Sequence, residues 1–243
     1  MEKQISRVVR GRIELIVDHE GKELAFVYPS EGPNTYQNVG KGILERKLTI
    51  PTGNQTASLV YGAYNSQEPE FKEIQNILKN KWLWVFNRIL WTPEGVYVVH
   101  DSEAVGISQP LDINDLEKRL NTKEQSLALV GGRDPCYGIR ISGDETVSFA
   151  PKKSYKLGDH TPESLARDGF IIASFGAEGA KKLGEVSTKF EYAPYVYGLN
   201  IEKGQDPSHR VSALLPNWNP DGQRLRVNGN CRGNCNDGCA FGV

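Results

Sequence analysis

Trp82 to Val99 constrains this chain more than any other stretch. Trp82-Leu83-Trp84-Val85-Phe86 and Ile89-Leu90-Trp91 form a nearly contiguous apolar run, Thr92-Pro93-Glu94-Gly95 reads as a turn, and Val96–Val99 reads as a returning strand. Apolar residues that alternate put one strand face in the core, whereas apolar residues that follow one another demand cover on both faces. The segment is therefore expected as a hairpin buried on both faces. The competing reading is an aromatic platform for stacked bases or sugars, and contiguity argues against it, because a platform displays its rings on one side. The run falls short of the ~20 apolar residues of a membrane helix. No other stretch of the 243 residues approaches that length.

Around this hairpin the sequence predicts short strands and a few short helices. Ile5–Tyr28 reads as a hairpin turning at His19-Glu20-Gly21-Lys22. Pro29–Gly42 is polar and glycine-rich and is expected as a loop, Ile43–Ile50 as a strand, and Gly53-Asn54-Gln55-Thr56 as a turn. Ala57–Tyr64 fits helix or strand. Phe71, Ile74 and Leu78 share one helical face, which predicts a helix over Pro69–Asn80, and Ile113, Leu116 and Leu120 predict another over Asp112–Leu120. Composition turns polar between Asn121 and Pro135 and includes Gly131-Gly132. A boundary placed there divides a β-rich N-terminal region of unassigned function, 1–130, from a second domain, 136–243. Gly138–Ile141 and Thr146–Phe149 open that second part as a hairpin. The fold class expected is α+β, with mixed, mostly antiparallel sheets.

Four blocks then follow in order. Tyr155–Leu157 reads as the end of a strand. Thr161-Pro162-Glu163 opens a helix, with a capping hydroxyl, a proline where no N–H is needed and an acid at the positive end of the dipole. Gly169 stops it and Phe170-Ile171-Ile172-Ala173 reads as a buried strand. Val186-Ser187-Thr188 leans to strand, which would send its two hydroxyls to opposite faces, and Ala177–Leu183 between these blocks reads as a short helix. Tyr195–Ile201 and Val211–Leu215 read as strands, and Leu225-Arg226-Val227 as a last short one.

Over about residues 150–228 these blocks resemble the ADP-ribosyltransferase fold of the cholera, heat-labile and pertussis toxin group. Tyr155, Pro162, Glu163, Gly169 and Phe170 match the pertussis-type pattern. Val186–Lys189 looks like the family's Ser-Thr-Ser strand, Tyr195-Val196-Tyr197 like its next core strand, and Ser208–Leu214 like its catalytic strand. The resemblance implies a cleft for NAD or ADP-ribose formed by Tyr155, Lys156, His160, Ser187, Thr188 and Arg210. It also implies lost chemistry. The first-strand arginine of the family is Lys156 here, which keeps charge without the planar fork. The following Asp is Gly158, the next Arg is His160, and the two catalytic glutamates fall on Ser208 and Arg210. Cleaving the nicotinamide–ribose bond develops positive charge on the ribose, which a carboxylate stabilises. An arginine about 4 Å away would cost roughly 4 kcal/mol at an effective dielectric near 20, about a thousandfold in rate. The resemblance thus implies a catalytically degenerate pseudoenzyme acting as an interaction scaffold or as an NAD/ADP-ribose binder. The alternative is an active transferase or NAD glycohydrolase whose acid has moved to Glu185 or Glu202.

The remaining residues add limits. A net charge of −1 without charge runs argues against nonspecific nucleic-acid or membrane attraction, so the partner expected is a protein or a small nucleotide. Met1-Glu2-Lys3-Gln4 has no apolar core of a signal peptide, so the compartment expected is the cytoplasm. Cys231, Cys235 and Cys239 are spaced by three residues. That spacing allows a zinc site with Cys136 or Asp237 as fourth ligand, or a disulfide, and a cytoplasmic chain favours free thiols. His19, His100, His160 and His209 are scattered. His100-Asp101 follows a strand end, where a site could be built, but a satisfied or solvated histidine is the preferred reading.

Overall fold

The computed structural model describes residues 5–9, 11–121, 138–215 and 223–243. Cys136, Trp218 and the boundary expected between 131 and 135 lie outside them.

β1 (Ile5–Val9), β2 (Arg12–His19) and β3 (Lys22–Tyr28) form a small antiparallel sheet. A second sheet of ten strands carries most of the core. It is built from β4 (Glu31–Asn34), β5 (Trp82–Trp91), β6 (Gly95–His100), β7 (Arg140–Ile141), β8 (Val147–Pro151), β9 (Gly158–Asp159), β10 (Tyr192–Tyr197), β11 (Ser208–Leu215), β12 (Arg224–Cys231) and β13 (Gly238–Ala240). Its main path runs β7-β8-β6-β5-β11-β12-β10-β9, and β13 links β4 to β5. All neighbours are antiparallel except β10 with β12 and β13 with β5. The class is α+β with antiparallel-rich sheets. Strands from both sides of residue 131 join this one sheet, since β5 pairs with β11 from Leu83↔Leu214 to Trp91↔Ser208.

The 82–99 hairpin lies where its contiguity demands, in the middle of the sheet with cover on both faces. Leu83, Val85, Ile89 and Trp91 pack into a large core with α2 (Gly53–Asn65) and α6 (Gly169–Ser187). Trp84 and Phe86 face the other way, against Tyr36, Val39 and Ile43 of α1 (Tyr36–Glu45). Leu90, Tyr97 and Val99 meet α4 (Ile113–Leu120) in a third cluster. The other helices are α3 (Lys72–Asn80) and α5 (Pro162–Ala166).

Several local expectations are corrected. The loop and strand expected over 29–50 contain α1, whose buried Tyr36, Val39, Gly40 and Ile43 are at helical spacing. Gly53–Thr56 is the first turn of α2 rather than a free turn, because Thr52 and Gln55 close a capping box onto each other. Phe170–Ala173 is helix rather than strand. Asp168 accepts from the backbone N–H groups of Phe170 and Ile171 and nucleates α6, and an apolar run of that length cannot by itself distinguish helix from strand. Val186-Ser187-Thr188 is the end of the same helix, where the Ser187 hydroxyl donates to the Gly184 carbonyl and the Thr188 hydroxyl to that of Glu185. Tyr155–Leu157 runs as irregular chain into β9.

Candidate functional site

The sheet offers a built surface at its β10–β12 end. Along β12, Leu225 and Val227 are buried in the α2/α6 core, and Gly229 sits under Phe170 and Trp91. The residues between them, Arg224, Arg226, Asn228 and Asn230, are directed to the opposite face and stay partly or fully exposed. β10 alternates likewise, with Val196 buried and Tyr195 and Tyr197 partly exposed. The parallel register places Tyr195 beside Arg226 and Tyr197 beside Asn228. The sequence pattern therefore produces a tyrosine row next to an arginine–asparagine row.

Short contacts hold these side chains. The Tyr195 and Tyr197 rings lie 4.4 Å apart between centroids. The Arg224 guanidinium stands 5.7 Å from the Tyr195 ring centre and donates to Asp159 Oδ1 at 2.7 Å. Arg210 Nε donates to Asn230 Oδ1 at 2.8 Å, and the Asn230 N–H donates to Asn228 Oδ1 at 2.7 Å. Arg226 Nε is buried without a hydrogen-bond partner among the described residues. Burial, and then the charge of Arg232, lower the pKa of Arg210. The face continues past Arg210 to a shallow hollow of about 100 Å³ lined by Tyr36, Gln37, Ile107, Ser108 and Arg232. Ile107 is 43% exposed there, one of few large apolar side chains so displayed.

The residues singled out from the sequence fall into three places. Tyr155, Lys156 and His160 gather around Asp168. The Lys156 N–H donates to Asp168 Oδ2 at 2.8 Å, and His160 Nε2 lies 2.9 Å from the Lys156 carbonyl and 3.9 Å from Asp168 Oδ2. His160 Nδ1 meets the Ser164 hydroxyl at 3.1 Å. Tyr155 packs edge-on against Trp91, and burial, with Asp168 nearby, pushes its pKa up to about 12. These contacts brace the start of α6. Burial raises the pKa of Asp168 against the N–H groups that favour its charge. Ser187 and Thr188 sit at the other end of α6, their hydroxyls bound to helix carbonyls. Ser208 and Arg210 lie on β11, three strands from β9, or roughly 14 Å across the sheet.

Cys231, Cys235 and Cys239 are free. Cys231, at the end of β12, lies in the α1-side core and Cys239, on β13, in the α2/α6 core, so these two thiols face different cores although they are close in sequence. Burial raises the pKa of each. Among the described residues, no group of three or more His, Cys, Asp or Glu side chains could hold a metal ion. Among the described residues, no helix is long and apolar enough to cross a membrane. The β10–β12 face was only half legible: the alternation of Tyr195-Val196-Tyr197 and Leu225-Arg226-Val227 announces strands, but nothing local announces that they pair in parallel.

No family model and no curated protein matches this chain. It is similar to a solved structure described as "Accommodation of massive sequence variation in Nanoarchaeota by the C-type lectin fold", with a TM-score of 0.50 and 14% identity over 88% of this chain and 97% of that one. This overturns the resemblance to toxin-type ADP-ribosyltransferases and the degenerate-transferase and NAD readings that rested on it. At this identity the likeness is one of fold, and the fold it points to is that of the C-type lectins.

Proposed function

We propose that this chain is a recognition protein that binds an acidic partner protein through the β10–β12 face. The observation that carries the reading is the face itself: Tyr195, Tyr197, Arg224, Arg226, Asn228 and Asn230 displayed side by side on a paired sheet. Tyrosine and arginine dominate binding hot spots, and asparagine supplies adaptable hydrogen bonds at low ordering cost. Arg210 and Arg232 add like charge that an acidic partner would relieve. The words printed for the similar structure say that its fold accommodates massive sequence variation. The same division of labour suits this chain, where Leu225, Val227 and Val196 hold the sheet and the intervening side chains are free of that duty.

The test is a selection of random displayed peptides against the purified chain. Acidic sequences should be enriched, and their binding should weaken as salt rises, since exposed charges are screened beyond about 10 Å at 0.1 M. Arg226→Ala or Tyr197→Ala should each weaken the selected peptides by about tenfold, equivalent to ~1.4 kcal/mol. Enrichment without acidic character, or binding by both variants as tight as by the wild type, would refute the reading.

A further inference from the structure

The hollow beside Arg232 gives the recognition face a walled end. At about 100 Å³ it is well below the ~300–1,000 Å³ of small-molecule sites, so it has room for one side chain rather than for a nucleotide. One wall is the turn Gly106-Ile107-Ser108. Asp101, only 3% exposed, pins that turn by accepting from the Val105 and Gly106 N–H groups at 3.1 and 2.7 Å. Gln37 Nε2 holds it from α1, donating to the Val105 carbonyl at 2.7 Å and to the Ser108 hydroxyl at 3.2 Å. The other wall is Arg232-Gly233, tied to α1 where the Gly233 carbonyl accepts from the Tyr36 N–H at 3.0 Å. Fully buried Tyr36 lies between the walls, and its hydroxyl donates to Asp101 Oδ2 at 2.9 Å. Both walls are thus fixed to the same tyrosine before anything binds, which lowers the ordering cost of binding.

The walls display two chemistries side by side. A single exposed isoleucine is ordinary on a protein surface. Ile107, however, is held outward on a pinned turn, and Arg232 shares the hollow with it while no acidic residue lines it. β11 and β12 pair Val211 with Cys231, and one step further the same register sets Arg210 beside Arg232. Arg210 is held there by its Nε bond to Asn230 and by an Nη1 bond to the His209 carbonyl at 2.6 Å. Among the described residues neither arginine belongs to an ion pair, so two like charges stand together without a carboxylate.

We propose that this hollow anchors the partner: it takes an apolar side chain of an extended partner segment against Ile107, while an aspartate or glutamate within about two positions of it pairs with Arg232 and Arg210. The inference rests on the reading of the β10–β12 face as a site for an acidic partner protein, and adds where that partner is gripped and by which residue pair. Asn228, beside Tyr197, is four residues from Arg232, or about 13 Å along the strand, so one short extended segment reaches from the tyrosine row into the hollow. The carboxylate relieves the repulsion between the arginines, and the apolar side chain covers Ile107. A segment with charge alone would leave the hollow empty.

Parallel selections of random displayed peptides against the wild-type chain and against Arg232→Gln test this. Wild-type binders should carry an apolar residue within about two positions of Asp or Glu, and the variant should not enrich them. In calorimetry with the synthesised wild-type binders, Arg232→Gln and Ile107→Ser should each weaken binding by about tenfold, with Tm unchanged because both side chains are exposed. Arg232→Gln carries the test alone if Ile107→Ser lowers Tm. Binders that weaken with Tyr197→Ala but not with the hollow variants, or that lack the apolar–acidic pairing, would overturn this inference and leave the face reading standing. Binders that weaken with the hollow variants but not with Tyr197→Ala would place the partner off the face, and binders indifferent to all three variants, or no enrichment, would refute both readings.

Discussion

Gly53→Ala should destabilise the protein, although helix propensity argues the opposite. Gly53 is the first residue of α2, where alanine would gain at most ~1 kcal/mol in propensity and unfolded-state entropy. Its α-carbon faces α6 so closely that a Cβ would stand 1.9 Å from the Ser174 carbonyl oxygen and 3.2 Å from Asn87 Nδ2. That carbonyl accepts from Asn87 Nδ2 at 2.9 Å, so it is tied to the floor strand and cannot turn away freely. The helices would have to separate by about 1.5 Å to regain an ordinary contact distance. Ala57, Gly176 and Gly179 line the same crossing, and the core behind it includes fully buried Val60 and Ala180. Overpacking of this kind costs ~1–3 kcal/mol, and the backbone partner puts this case at the upper end. The net loss is then about 2 kcal/mol, a fall in Tm of ~4–8 °C for a chain of this size. Thermal unfolding followed by circular dichroism measures it. An unchanged or raised Tm would mean that α2 and α6 do not meet at this distance.

Two further outcomes follow from polar clusters, one buried around Asp168 and one half-buried around Glu117. Asp168→Ala should cost ~3 kcal/mol in denaturant unfolding, since it removes a helix cap and strands the N–H groups of Lys156, Phe170 and Ile171 together; a loss below about 1 kcal/mol would show that this carboxylate is not the hub of the segment. Glu117 takes two short bonds from Arg140 and one from Tyr97, and the Arg140 bond is the largest influence lowering its pKa. Its stabilisation is therefore present above the ordinary glutamate pKa and lost as pH falls through the lower folded value. The Tm of the wild type should drop on acidification below about pH 4.5, and that of Glu117→Gln should drop less steeply. Parallel pH profiles would refute the assignment.

Much of the framework was readable because burial on two faces leaves a strong mark. The contiguous aromatic run at 82–91 placed a central strand, and Phe71-Ile74-Leu78 and Ile113-Leu116-Leu120 placed two helices, from periodicity alone. The errors fall where periodicity is silent. α1 hides in a polar, glycine-rich stretch because Gly40 allows it to approach Phe86 and Ala104, and closeness of that kind has no pattern along the chain. α6 contains Phe170-Ile171-Ile172, residues with β preference whose helical state is decided by the Asp168 cap and by packing against α2. Once that helix is misread as two strands, a strand-helix-strand order appears that the molecule does not have, and the transferase likeness followed from it.

The candidate sites divide the same way. The recognition face derives from alternation on β10 and β12, so its residues could be named from sequence as strand residues, but the register that makes neighbours of Tyr195 and Arg226 is a property of the sheet. A cleft of about 570 Å³ beside α2 and α6 draws on residues as distant as Glu20 and Glu178, brought together because α2 crosses α6 through Gly53, Gly176 and Gly179. His100 was visible only as a histidine at a strand end. In the fold its ring bonds the Phe86 carbonyl and shares a cleft wall with Asn54 and Ser174, a neighbourhood that exists only in three dimensions. Substitutions on the face should alter binding with little effect on stability, because those side chains are partly exposed and the ladder beneath them is backbone.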